Sequence, residues 1–399
     1  MAKMLKRIMI YLLRWGGLGL LLGALCGGIG ALFSKAIGGV SALRATHPWL
    51  LFLLPVAGLF TVGLYRLCRV AGVGTVRVME SARLEKKVSS LLAPAVFGGT
   101  VLTHLVGGSA GKEGAALQLG GSVAAWLAER FRLENALRRR LVTAGMAAFF
   151  TALFGTPLGA SIFALEVLRK GRRCIKGIYP TLVASLSAYG IAHLCGVEWE
   201  RFSFTAPALD GQIAWKGAVV IAAGALAALA FCYALHWGEF FFERWVPNAY
   251  LRIALGGGLL IALTLAVGTR DYNGGGMEGI LRVFEQGEVR YEAFALKMLF
   301  TVLTVAAGFK GGEIVPALFI GTTLGGSLSL LLGLPVGFGA ALGMISVLGG
   351  VTNCPTAVCV LALELFNGVG WPYLFVASIL GFLLTYRISF YTYPTKEKP

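Results

Sequence analysis

One carboxylate lies where a glycine-rich turn meets an apolar stretch, and its setting suggests chemistry with ions. Glu113 lies in the sequence Gly-Gly-Ser-Ala-Gly-Lys-Glu-Gly-Ala-Ala-Leu-Gln-Leu-Gly-Gly-Ser, residues 107 to 122. An ionisable side chain between two long apolar segments is costly at membrane depth unless it faces a cavity or a partner. The start of a helix offers unpaired N–H groups and the positive end of the helix dipole, which together attract an anion. We therefore predict that Glu113 competes with a dissolved anion for such a site.

A second carboxylate has the same kind of setting about 200 residues later, a spacing that indicates an internal repeat. Gly111-Lys112-Glu113 has a counterpart in Lys310-Gly311-Gly312-Glu313. Two helix starts that face each other near the membrane midplane would form one anion site flanked by two titratable carboxylates. Lys112 and Lys310 either raise the local electrostatic potential or have a solvated or capping role.

Further similarity between the two halves extends the repeat. Thr-Pro-Leu-Gly-Ala-Ser-Ile-Phe-Ala-Leu-Glu-Val, residues 156 to 167, resembles Cys-Pro-Thr-Ala-Val-Cys-Val-Leu-Ala-Leu-Glu-Leu, residues 354 to 365. We predict internal repeats at approximately 50–198 and 250–396. Glu166 and Glu364, near the ends of these segments, are interpreted as structural carboxylates. The residues alone leave open whether the repeats are parallel or inverted.

The composition is that of a membrane protein. Of 399 residues, 57% are hydrophobic, only 14% are charged and the mean hydropathy is +0.77. The formal charge of +16 comes from Lys and Arg in short connecting segments. This pattern indicates the positive-inside bias of membrane proteins and not a nucleic-acid surface. We predict a multi-pass protein of the cell (inner) membrane, with both termini cytoplasmic and the apolar run Ile8–Phe33 in an uncleaved first helix.

Other classes of protein lack support in the sequence. The seven Cys show no CxxC spacing and the four His are isolated, so neither a metal site nor a disulfide framework is predicted. An integral-membrane enzyme is the rival from another class, but HExxH and Walker-type motifs do not occur. We expect no enzyme activity, no cofactor and no nucleic-acid partner.

The segments that must position the carboxylates are apolar and often short. Several are below the roughly 20 residues that a spanning helix needs, which indicates tilted or broken helices. The prediction is an all-α polytopic membrane protein, with a single transmembrane domain over 1–399 and no soluble regulatory domain. After Ile8–Phe33, the apolar segments lie at about 49–67, 90–107, 113–128, 141–168, 175–196, 212–236, 250–268, 293–309, 313–333, 335–350, 353–367 and 371–388.

Three motifs together resemble those of the CLC family of anion channels and anion/proton antiporters. Gly72-Val73-Gly74-Thr75-Val76 resembles the family's Gly-Ser-Gly-Ile-Pro. Residues 111 to 115 resemble Gly-Arg-Glu-Gly-Pro, and residues 311 to 316 resemble Gly-Gly-x-Phe-x-Pro. The resemblance implies a fold of two inverted repeats of tilted, often broken helices, and a homodimer in which every subunit has its own pathway.

The resemblance also assigns site residues. Glu113 matches the external gating glutamate that carries protons, and Tyr391 resembles the tyrosine whose hydroxyl faces the anion, although Tyr386 and Tyr393 are alternatives. Glu313 is expected to act as a proton or anion relay. The predicted anion-binding residues are Val73, Gly111, Lys112, Gly114, Gly312, Ile314, Val315 and Tyr391.

Departures from the family pattern bear on the activity. Val73 replaces the pore serine, and Val167 stands where many proton-coupled members have a second, internal glutamate. Together with the added Glu313, this combination resembles the bacterial fluoride/proton antiporter branch. The expected function is export of fluoride in exchange for protons across the lipid bilayer. A chloride channel or a chloride/proton antiporter of the same family is the alternative.

Overall fold

The computed structural model describes residues 2–84, 88–168, 177–386 and 388–391, and most of them are helical. Sixteen α-helices and one 3₁₀ helix, Pro48–Leu53, occur in these ranges. The α-helices are α1 Ala2–Thr46, α2 Leu54–Leu67, α3 Thr75–Leu84, α4 Leu92–Leu105, α5 Glu113–Arg130, α6 Asn135–Phe154, α7 Pro157–Glu166, α8 Ile178–Leu194, α9 Gly211–Trp245, α10 Ala249–Val267, α11 Met277–Gln286, α12 Ala293–Ala307, α13 Ile314–Leu332, α14 Val336–Thr352, α15 Pro355–Leu365 and α16 Trp371–Thr385.

Two groups of apolar helices have lengths that suit a membrane protein. In the described ranges, five segments are long and apolar enough to cross a membrane by length and composition. Six shorter apolar helices of 10 to 17 residues accompany them. The five candidate spans are Tyr11–Thr46, Pro48–Leu67, Gly211–Trp245, Ala249–Val267 and Ile314–Leu332.

Two predicted segments differ from the observed helices for local reasons. The apolar stretch 141–168 is divided between α6 and α7. Gly155 takes the left-handed conformation, φ 67 and ψ 26, and ends α6. Pro157 then occupies the first turn of α7, where its missing N–H costs nothing. The first helix is also longer than the predicted apolar run Ile8–Phe33, since α1 begins at Ala2 and ends at Thr46.

Helix α9 also extends beyond its predicted end. The predicted segment stopped at residue 236, whereas α9 continues to Trp245. Its start is fixed by Asp210, whose side chain accepts a hydrogen bond of 2.7 Å from the Ile213 N–H. The extension places two carboxylates, Glu239 and Glu243, inside the helix.

The described chain forms two compact units. The first comprises the described residues of Met1–Ala36, Cys68–Phe97 and Ala115–Glu200. In its core, Gly120 of α5 and Gly145 of α6 approach so closely that a Cβ on either would overlap the other's carbonyl oxygen. Helix α6 is buried at every position from Leu141 to Leu153.

The second unit comprises the described residues of Ile37–Leu67, Gly98–Gly114 and Arg201–Pro399. Helix α13 packs tightly on α14, and a Cβ on Gly325 would lie 3.1 Å from the Gly343 Cα. Side chains of α9, α13 and α14, including Phe231, Ile320 and Val347, form an apolar cluster beside this contact. The packing fixes α13, whose first turn follows Glu313.

Helices of similar length recur in the same order along the chain. Helices α4 to α8 have 14, 18, 20, 10 and 17 residues. Helices α12 to α16 have 15, 19, 17, 11 and 15 residues. The exact repeat boundaries, 50–198 and 250–396, stay a prediction.

Candidate functional site

The two glycine motifs predicted from the sequence meet as paired backbone segments. The Gly111 N–H donates to the Gly312 carbonyl oxygen at 2.7 Å, and the Gly312 N–H donates to the Gly111 carbonyl oxygen at 2.6 Å. We call this pair of hydrogen bonds the glycine bridge. It joins the turn before α5 to the turn before α13, so the starts of two helices are held side by side.

The glycine bridge requires residues without side chains. A Cβ on Gly312 would lie 2.6 Å from the Gly114 Cα, and a Cβ on Gly114 would lie 2.5 Å from the Gly312 Cα. A Cβ on Gly311 would overlap the Ala110 methyl group. Real carbon atoms pack at about 3.5–4.0 Å, so only glycine permits this approach.

Glu113 is the first residue of α5 and is only 2% exposed. Its carboxylate folds back over Gly111, where Oε2 lies 2.5 Å from the position that a Cβ would occupy. The N–H groups of Lys112 and Glu113 hydrogen-bond to this carboxylate. Oε2 has no hydrogen-bond partner among the described residues. A buried oxygen without a partner is costly, so this atom is suited to receive a proton or to leave the site.

Glu313 precedes α13 on the other side of the glycine bridge and is partly buried. Its Oε2 lies 3.5 Å from the position of a Cβ on Gly114. Ile314 and Val315, both buried, form the first turn of α13, and N–H groups in a first turn have no acceptor within their own helix. The α13 start therefore offers N–H donors beside the two carboxylates.

Tyr391 lies in the part of the chain that follows α16. It is partly buried and interacts electrostatically with Glu313. The neighbouring Phe390 N–H donates to the Val351 carbonyl at 2.9 Å, which ties this segment to α14. Tyr386 is 63% exposed, and Tyr393 lies outside the described residues. The assignment of Tyr391 as the tyrosine that faces the anion stays a prediction.

Two other predicted residues have different settings. Lys112 is partly exposed and interacts electrostatically with Glu113. Val73 belongs to the first unit, where its N–H donates to the Val70 carbonyl at 3.1 Å just before α3. Sequence reasoning missed the neighbouring hydrogen bond of 2.9 Å from the Gln118 Nε2 to the Thr75 hydroxyl. The available signal was Thr75, which provides a hydroxyl two residues after Val73, the residue that replaces the pore serine.

A buried lysine stabilises the loop that leads to Glu113, and sequence reasoning missed it as well. Lys297 of α12 has no exposed surface, and its Nζ donates to the carbonyl oxygens of Tyr272 at 3.1 Å and Gly274 at 2.7 Å. The Gly274 N–H in turn donates to the Gly108 carbonyl at 3.1 Å. A lone lysine within the apolar segment 293–309 was the signal, because such a charge needs a partner.

This arrangement places titratable carboxylates beside helix starts that can bind an anion, a combination suited to the exchange of a proton for an anion. Within the described residues, no group of three or more His, Cys, Asp or Glu could hold a metal ion. Glu113 places a negative charge where two helix starts offer N–H groups, and a dissolved anion could occupy the same place. Protonation would neutralise the carboxylate and weaken its hold on the site.

The fold and site define a polytopic helical membrane protein with carboxylates at two bridged helix starts. The sequence profile described as "Voltage gated chloride channel" matches residues 57–386. The chain belongs to this family, the CLC family.

Several relatives support the assignment. A chloride/fluoride channel protein of Pseudomonas syringae pv. tomato is 36% identical over 398 residues, covering 96% of this chain and 86% of the relative. The H(+)/Cl(-) exchange transporter ClcA of Vibrio cholerae is 24% identical and covers 64% of this chain and 58% of its own length.

Solved structures confirm the fold. A CLC-type fluoride/proton antiporter superposes with a TM-score of 0.90 at 32% identity, covering 95% of this chain and 97% of that one. A slow cyanobacterial Cl-/H+ antiporter superposes with a TM-score of 0.79 at 20% identity, covering 93% and 95%. The all-α CLC-type fold predicted from the three motifs is therefore confirmed.

Proposed function

We propose that this protein is a fluoride/proton antiporter that exports fluoride from the cytoplasm across the cell membrane. The observation that carries the proposal is the buried Glu113 carboxylate, whose Oε2 has no hydrogen-bond partner among the described residues. The glycine bridge holds the start of α13 beside it. The similarity to a fluoride/proton antiporter of known structure at 32% identity supports the choice of ions. We further propose a homodimer with cytoplasmic termini and one pathway in each subunit.

Glu113 acts in the proposed cycle as both gate and proton carrier. As a carboxylate it occupies the anion site and accepts hydrogen bonds from N–H groups at the α5 start. When it takes up a proton it loses its charge, leaves the site and opens the place to an anion. Release of that proton on the other side returns the carboxylate to the site. Each cycle then exchanges a proton for an anion moving the opposite way.

Fluoride selection rests on donors around the same site. Fluoride is small and strongly hydrated, so its binding requires close and strong hydrogen-bond donors. The N–H groups of Ile314 and Val315 and the Tyr391 hydroxyl supply donors without charge. Protonated Glu313 supplies an O–H donor, and its deprotonated form hands the proton onward.

Chloride transport is the second candidate. The absence of a carboxylate at Val167 favours a passive chloride channel, whereas the additional Glu313 favours proton coupling. The relative in Vibrio cholerae, an H(+)/Cl(-) exchange transporter at 24% identity, keeps a chloride/proton antiporter in consideration.

Ion flux from proteoliposomes distinguishes these functions. Vesicles loaded with fluoride or chloride are diluted into a buffer that contains neither ion, with and without a protonophore. The external concentration of the released ion and the external pH are recorded. An antiporter is expected to release fluoride far faster than chloride and to move protons inward against their gradient. Equal or faster chloride release without proton movement would refute the proposal.

The substitution Glu113→Gln tests the gate directly. Glutamine has nearly the same size but cannot carry a proton, so proton movement should stop and fluoride flux should change strongly. Glu285→Gln, at an exposed position on α11, is the matched control and should transport normally. Unchanged coupled transport by Glu113→Gln would remove this residue from its role.

A further inference from the structure

The proposed cycle needs a route by which protons reach Glu313, and Val167 provides no carboxylate for it. Val167, directly after α7, is 6% exposed and cannot titrate. A carboxylate at another described position could provide this route. Two such carboxylates, Glu239 and Glu243, lie at the far end of α9.

Helix α9 carries a line of titratable side chains on one face. Cys232, His236, Glu239 and Glu243 are spaced by four, three and four residues. Residues three and four apart lie above one another on a helix, so the four side chains follow one stripe about 16 Å long. We call this set the α9 stripe.

The two ends of the α9 stripe have different surroundings. At the inner end, Cys232 is 1% exposed and interacts electrostatically with Glu313. At the outer end, the Glu243 side chain is 69% exposed and forms an ion pair of 3.7 Å with Arg252 of α10. The stripe therefore leads from an exposed carboxylate to the neighbourhood of Glu313.

Glu239 lies between these ends, in a turn of α9 that packs against α12. A Cβ on the adjacent Gly238 would lie 2.9 Å from a Val302 methyl group and 3.4 Å from the Ala306 methyl group. Helix α12 ends at Ala307 and leads directly into the loop that carries Lys310 and Glu313. Glu239 interacts electrostatically with Glu243, Lys310 and Arg252, and Glu313 interacts with both Glu239 and Lys310.

Lys310 interacts electrostatically with both Glu239 and Glu313, and its side chain is held in place by its neighbours. Its backbone N–H donates to the Thr103 hydroxyl at 3.2 Å, and its Nζ lies 4.7 Å from the centre of the Tyr65 ring. Its Cγ lies 3.2 Å from the position of a Cβ on Gly99, so glycine there leaves room for the side chain. A lysine at this place provides a positive charge that attracts the negative charge each carboxylate carries after it releases its proton.

We infer that Glu239 is a proton-transfer residue that supplies Glu313 from the membrane face at which α9 ends. A proton moves from Glu243 or water to the Glu239 carboxylate and then, through hydrogen bonds or bridging water, to the Glu313 carboxylate. Each transfer breaks one O–H bond and forms another, and no electrons change hands. Glu239 becomes a carboxylate again beside Lys310. The inference rests on the proposed antiport and adds its missing proton route.

The test compares Glu239→Gln with the wild-type protein and with Glu285→Gln in proteoliposomes. Fluoride release and proton uptake are recorded together, and fluoride binding to the purified proteins is measured by calorimetry. We expect Glu239→Gln to slow coupled turnover on the order of 100-fold, the lower end of the effect of a positioned proton-transfer group. Its fluoride affinity should match that of the wild type, which shows that the protein is folded. Glu239→Asp should restore much of the rate because it retains a carboxylate.

The outcomes separate this inference from the proposed function. Antiport by the wild type with an unchanged rate in Glu239→Gln would overturn the proton route and leave the function intact. Equal slowing of Glu239→Gln and Glu285→Gln would also overturn it, because loss of any surface charge would then suffice. Lack of proton coupling in the wild type would overturn both the function and the route.

Discussion

Substitution of one bridging glycine by alanine should damage both stability and transport. In Gly312→Ala the added methyl group would lie 2.6 Å from the Gly114 Cα, about 1 Å closer than carbon atoms pack. Separation of the two segments by that distance would lengthen the hydrogen bonds of 2.6 and 2.7 Å beyond the limit for such a bond. Overpacking costs about 1–3 kcal/mol and each lost hydrogen bond about 0.5–1.5 kcal/mol, which gives about 2–6 kcal/mol in total.

The assay for this prediction has two readouts. Thermal inactivation of the purified protein, followed by size-exclusion chromatography, reports stability, and fluoride release from proteoliposomes reports function. Gly258→Ala is the matched control, because Gly258 lies within α10 with open space around its Cα and alanine favours a helix by about 0.5–1 kcal/mol. Gly312→Ala with the inactivation temperature and transport rate of the wild type would refute the close approach described here.

Two further predictions concern stability. Lys297→Met should destabilise the protein by about 1–3 kcal/mol, because two buried loop carbonyls lose their donor, and an unchanged inactivation temperature would contradict this role. Asp210→Ala should cost about 1 kcal/mol by removing the cap of α9, whereas Asp210→Asn should retain most of that stability. Equal inactivation temperatures for the two Asp210 variants would exclude capping as the cause.

Those parts of the site that a local sequence pattern determines could be predicted from the sequence. Glycines followed by a glutamate at the start of an apolar helix predicted the settings of Glu113 and Glu313, and both stand at helix starts in the structure. The repeated motif predicted that the two turns are related. It could not predict the glycine bridge itself, because hydrogen bonds between residues about 200 positions apart depend on how the intervening helices pack.

The residues that the sequence analysis missed are polar groups whose role depends on distant partners. Lys297 lies in an apolar segment, and only the loop that folds over it explains why a lysine can be buried there. Glu239 lies three residues beyond the predicted apolar segment 212–236, although α9 continues to Trp245. A helix can continue through charged residues after its apolar run has ended, so the end of an apolar run does not mark the end of a helix.

The glycine bridge also bears on how quickly and how far the gate can move. Two short hydrogen bonds and direct backbone contact hold the starts of α5 and α13 together, so neither can slide past the other without breaking the bridge. While the bridge is intact, motion at this point is limited to side chains and does not require the microsecond-to-millisecond rearrangements of helices or domains. In the proposed cycle the speed of exchange would then depend on the arrival of protons and anions and not on movement of the scaffold.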